Sequence, residues 1–111
     1  MTDAPKAYGY IRLRDTDDDR ELYLIEERMH DFAESRGLRL VHTHYENGPG
    51  ISPYRLIHRL IRDDVRHVIV PSLMQITGHP LLQLLVSEAI TLDAGALLYE
   101  ASEVHGRADA P

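Results

Sequence analysis

The chain has 111 residues, no cysteine and a formal charge of −6. That length gives one domain with one core, and the missing thiols exclude disulfides, thiolate zinc sites, iron–sulfur clusters and cysteine nucleophiles together. The acidic balance argues against a general DNA binder, whose affinity comes from neutralising phosphates.

Residues 1–6 read as a flexible N-terminus without the apolar stretch of a secretory signal, and no segment approaches the ~20 apolar residues of a membrane span. A cytoplasmic protein with no membrane partner is the expectation. Ala7 to Leu13 is aromatic and β-branched, a strand profile. Arg14 to Asp19 follows, with four acids in the five residues from Asp15. Acids there suit the positive end of a helix dipole better than a cation site, because no EF-hand spacing accompanies them. Leu22, Ile25, Met29 and Phe32 recur at helical spacing, and Gly37 is placed to cap that helix.

Leu38 to His44 reads as a second strand and Tyr45 to Pro53, with Gly48, Pro49 and Gly50, as a loop in which Ser52 caps the next helix. Leu56, Ile57, Leu60 and Ile61 mark the inner face of that second helix. Arg55, Arg59, Arg62 and Arg66 recur on its outer face, a mildly basic segment inside an acidic chain. His67 to Pro71 is a compact buried strand, and Ser72 to Gly78 a loop. Pro80 starts a third helix that is apolar on nearly every side, which suggests an oligomer interface as well as a core. Gly95 closes it, Ala96 to Tyr99 is the last strand, and 101–111 is a flexible polar tail.

The order βαβαβαβ over 7–100 predicts a three-layer α/β/α domain around a mostly parallel four-stranded sheet. Ligands of such sheets bind beyond the carboxyl ends of the strands. Those loops hold no phosphate-binding loop, no cofactor motif and no nucleophile with an adjacent base. His42 and His44 share a strand face but lack a third ligand at a diagnostic spacing, so no metal site is expected.

Gly9-Tyr10-Ile11-Arg12-Leu13 resembles the Gly-Tyr-x-Arg-Val opening of the serine recombinases, the resolvase/invertase group. The resemblance runs through the long helix to Gly37, the second strand, Glu46 before a glycine-containing loop, and Val68-Ile69-Val70, over residues 7–99. It implies a resolvase-like catalytic-domain fold and a relation to DNA recombination. It also implies a vestigial site. The family's nucleophilic serine falls on Arg14, two residues after the matching Arg12. Its aspartate–arginine pair falls on Met74 and Gln75, and a later arginine on Gly78. The arginine expected after the second loop falls on Arg55, or on Tyr54 if the register slips by one.

Attack on a phosphodiester needs an oxygen nucleophile and cations aimed at the developing charge. The expectation is therefore a non-enzymatic pseudoenzyme: a small regulatory or protein-interaction module, homo-oligomeric or bound to another protein. Only twelve residues follow Tyr99, too few for the family's long dimer helix and helix-turn-helix. Two alternatives stand beside it. One is weak DNA association through Arg55, Arg59, Arg62 and Arg66, as a recombination or transcription accessory. The other is a small anion or nucleotide binder using Arg12 and Arg14.

Overall fold

The computed structural model describes residues 4–14, 18–47 and 52–102. Strand β1 (Lys6–Arg12) is followed by α1 (Asp19–Ser35), β2 (Arg39–Glu46), α2 (Tyr54–Asp63) and β3 (His67–Val70). A short helix α3 (Leu73–Ile76), then α4 (Pro80–Glu88) with a π-helical turn over Ala89–Asp93, lead into β4 (Leu97–Glu100). All strand pairings are parallel, in the order β2-β1-β3-β4. The chain turns left from β1 to β2 and then right to β3 and β4, so the topological switch point lies between β1 and β3.

The period-2 alternation of β1 divides the core. Tyr8 and Tyr10 pack with Leu56, Leu60, Val68 and Val86 on the side of α2 and α4. Ala7 and Ile11 pack with Met29, Phe32, Ala33 and Ile69 on the side of α1. Two apolar layers on opposite faces of one sheet produce the three-layer architecture.

The helix ends follow their local chemistry. Asp18 caps α1 by accepting from the Glu21 N–H at 2.8 Å, the role its position in the acidic run suggested; Asp15 and Asp17 lie outside the described residues. Gly37 takes φ +70 after α1 while the Leu38 N–H reaches back to the Ala33 carbonyl at 2.8 Å. The end of α2 is made without glycine. Asp64 adopts φ 54 there, a left-handed position that a short polar side chain tolerates.

Four boundaries differ from the sequence reading. Strand β2 continues through Tyr45 and Glu46, because both pair with the end of β1; the glycines that suggested a loop begin only at Gly48, outside the described residues. Ser52 does not cap α2, whose N-cap is Pro53 with no side-chain bond. The segment after β3 contains a helical turn, nucleated by Ser72 Oγ accepting from the Gln75 N–H at 3.0 Å. The folded part also extends at both ends. The Pro5 carbonyl accepts from Arg39 and the Ser102 N–H donates to Pro71, while Ala101 is buried.

Gly9 is required by packing. A Cβ there would sit 2.9 Å from both Met29 Cε and Thr43 Oγ1, on the face where α1 crosses the β1–β2 pair. Gly9→Ala should cost about 1–3 kcal/mol through overpacking, measured as a lower urea midpoint with unchanged slope. Thr43→Ala in the same chain should restore part of the loss, and a neutral Gly9→Ala would contradict this packing.

Candidate functional site

At the switch point β3 pairs with β1 only through Tyr8–Val68 and Gly9–Ile69. The end of β1 therefore has no strand partner on that side, and its backbone groups need another. Gln75 supplies it. Its Oε1 accepts from the Arg12 N–H at 3.0 Å, and its Nε2 donates to the Arg12 carbonyl at 2.6 Å. One side-chain amide thus completes the ladder as a further residue of β3 would. The Gln75 backbone carbonyl in turn accepts from Arg14 Nη2 at 2.7 Å.

The other side of β1 is closed by Glu46, aligned with Arg12 in the β1–β2 register. Tyr10 Oη donates to Glu46 Oε1 at 2.9 Å. Burial first, then that hydrogen bond and the nearby negative charge, push the Tyr10 phenol far up, so it remains a neutral donor. Glu100, at the end of β4, accepts from the Leu73 N–H through Oε1 at 2.7 Å and ties α3 to the sheet.

Arg12, Arg14 and Gln75 are thus brought into one hydrogen-bonded group, with Glu46 across the strand. Met74 projects to solvent, and a Cβ at Gly78 would lie 3.8 Å from its sulfur, so these two residues are neighbours carrying no charge. Glu100 was not singled out in the sequence, although a carboxylate at a strand's carboxyl end is a signal for such a site. Among the described residues no group of three histidine, aspartate or glutamate side chains is placed to hold a metal. No helix there is long and apolar enough to cross a membrane.

The sequence matches no family model and no curated protein. Solved structures do match. A resolvase family site-specific recombinase from Streptococcus pneumoniae superposes with a TM-score of 0.66 at 22% identity, over 89% of this chain and 73% of its own. This chain has the fold of a serine recombinase catalytic domain. The N-terminal catalytic domain of TP901-1 integrase gives 0.65 at 22% identity, over 88% of this chain and 78% of that one. The C-terminal catalytic domain of ISC1926 TnpA, an IS607-like serine recombinase, gives 0.66 at 15%, over 86% and 67%. The resolvase-like architecture read from the Gly9–Leu13 motif and the element order is therefore present.

The arginine stripe divides. Arg55, Arg59 and Arg62 line one cleft with His44, Tyr54 and His58. Arg66 lies beyond the end of α2, because the left-handed Asp64 turns the chain, and its Nε pairs with Asp64 Oδ1 at 3.3 Å. Sequence spacing placed four arginines on one face and missed that β2 sets His42 and His44 beside three of them.

Removing the Gln75 amide leaves two backbone groups of β1 without their partner. Gln75→Ala should destabilise the fold by about 1–3 kcal/mol and speed hydrogen exchange at the Arg12 amide selectively. Unchanged Arg12 protection would contradict the pairing.

Proposed function

We propose that this resolvase-like domain is a non-catalytic module that works by protein contact, and that its partner is a second copy of itself. The observation carrying the first part is the Gln75 amide bonded at both ends to Arg12. A neutral amide engaged with backbone stands at the switch point, and position 14 holds an arginine that donates to the same residue. Neither group supplies the oxygen nucleophile that strand transfer through a covalent intermediate requires. Such an arrangement keeps the fold and gives up the chemistry, leaving a rigid scaffold whose use is its surface.

The second part rests on α4. Only Val86 and, in the following turn, Ile90 are buried, whereas Leu81, Leu84, Leu85 and Leu92 are 52–73% exposed. A surface helix ordinarily puts charged residues on that face. Here no Asp, Glu, Lys or Arg occurs from Leu73 to Ser87. The bare leucine surface is on the order of 500 Å², high for a monomer. Two such faces reach about the 1,000 Å² that a specific interface needs. A groove of about 410 Å³ lined by Tyr54, Leu82, Leu85 and Leu92, with Glu88 and Asp93 also on its wall, runs beside the ridge. A leucine ridge next to a mainly apolar groove is self-complementary about a two-fold axis.

One observation favours a second reading, association with nucleic acid: three arginines share a single cleft in a chain of charge −6. The two surfaces meet at Tyr54, which lines both the groove beside α4 and the arginine cleft.

Sedimentation velocity should show a dimer for the unaltered chain and a monomer for Leu81→Glu/Leu85→Glu with unchanged circular dichroism. A monomer at every concentration for the unaltered chain would refute the second-copy assignment.

A further inference from the structure

We propose that the cleft between β2 and α2 binds the phosphates of a single nucleic-acid strand and takes up protons as it does so. This rests on the second reading above and adds to it the ligand class and a means of regulation. The cleft has a volume of about 480 Å³ and is lined by His44, Tyr54, Arg55, His58, Arg59 and Arg62. Arg55, Arg59 and Arg62 lie at i, i+4 and i+7, a row about 10 Å long. A row of cations suits the successive phosphates of an extended backbone better than one compact anion. Tyr54 stands two-thirds exposed at one end, where an aromatic ring serves as a stacking platform for a base.

The acids bordering the cleft are already engaged from the sheet side. Tyr10 holds Glu46, as described, and Tyr8 Oη donates to Asp63, which also accepts from Arg62 Nε at 2.9 Å. Those hydrogen bonds, from Arg62 first and then Tyr8, hold the Asp63 carboxyl down to about 2. Both carboxylates are thus engaged, and Arg55, Arg59 and Arg62 outnumber them at the cleft.

His44, which lines the cleft, couples it to pH. Arg59 Nη1 lies 2.7 Å from His42 Nε2. Arginine can only donate, so Arg59 is tethered to His42 Nε2 at the β2 wall of the cleft. The adjacent His44 ring packs against Tyr10. Burial lowers its pKa most, Glu46 opposes this, and Arg59, His42 and Arg55 lower it further. A bound polyanion offsets that cationic repulsion and favours the imidazolium form. By linkage, whatever the ligand does to proton affinity, protons do to ligand affinity.

The test is fluorescence anisotropy with a labelled oligothymidylate at constant ionic strength. Affinity should rise about tenfold or more between roughly pH 7.5 and 5.5, the range in which histidine changes charge. The slope of log K against log salt should be negative, about −1 to −2, as expected for two or three phosphate contacts on a single strand. Calorimetry in two buffers of different ionisation enthalpy should register proton uptake by the unaltered chain. His44→Gln should flatten the pH response and remove the proton uptake, Arg55→Gln/Arg59→Gln should abolish binding, and His79→Gln, at the start of α4, should change neither affinity nor pH response. Binding that is equal at the two pH values with no proton uptake overturns the coupling and leaves the second reading standing. No binding at either pH overturns both, and an equal flattening by His79→Gln overturns the assignment to this cleft.

Discussion

The last residues of β1 lie at the centre of a sheet whose neighbour on one side has already ended, so their backbone groups must find partners that are not strand. Gln75 meets that requirement from a single turn of helix, with its two amide atoms spaced like a backbone rung. Much else follows. The helical turn Leu73–Ile76 exists because Ser72 and Glu100 satisfy its first amides. Its position carries Gln75 over the switch point, and Arg14 then closes onto the Gln75 carbonyl. The carboxyl end of β1 is thereby closed by hydrogen bonds to Gln75.

Closing that end moves attention to the flanks. The sheet is covered on one face by α1 and on the other by α2 and α4, and the two faces are built differently. The α1 packing is close enough that a Cβ at Gly9 would force the Met29 and Thr43 side chains to shift. On the other face the tyrosines of β1 reach the edges of the helical layer and bind Asp63 and Glu46. This arrangement engages two partly exposed carboxylates in hydrogen bonds beside the arginines and histidines of the cleft. A chain acidic overall thereby presents one basic cleft, next to a helix with no charge on its outer face over two turns.

Much of the fold was legible in the sequence because its signals are periodic. The helical spacing of Leu22, Ile25, Met29 and Phe32, the run Val68-Ile69-Val70 and the glycines at 37 and 95 each correspond to the element expected of them. What was not legible depends on tertiary pairing. Tyr45 and Glu46 are strand because β1 holds them, whereas glycines and proline nearby suggest a loop. Asp64 ends α2 without the glycine that usually marks such a cap, and so separates Arg66 from its three predecessors. The site behaves similarly. Arg12, Arg14 and Gln75 were individually named from the family resemblance, but their union through the amide of Gln75 has no trace in spacing, since sixty-three positions separate Gln75 from Arg12. The pairing of His42 with Arg59 across two elements is of the same kind.

On the proposed reading the switch point is chemically silent. That reading is tested most directly by incubating the full chain with supercoiled plasmid and with a nicked or mismatched duplex, stopping with detergent, and looking for protein covalently joined to DNA. The account predicts unaltered topology and no covalent adduct at any protein concentration. A detergent-stable protein–DNA linkage, or relaxation of the plasmid that disappears when Arg12 or Arg14 is replaced, would contradict it.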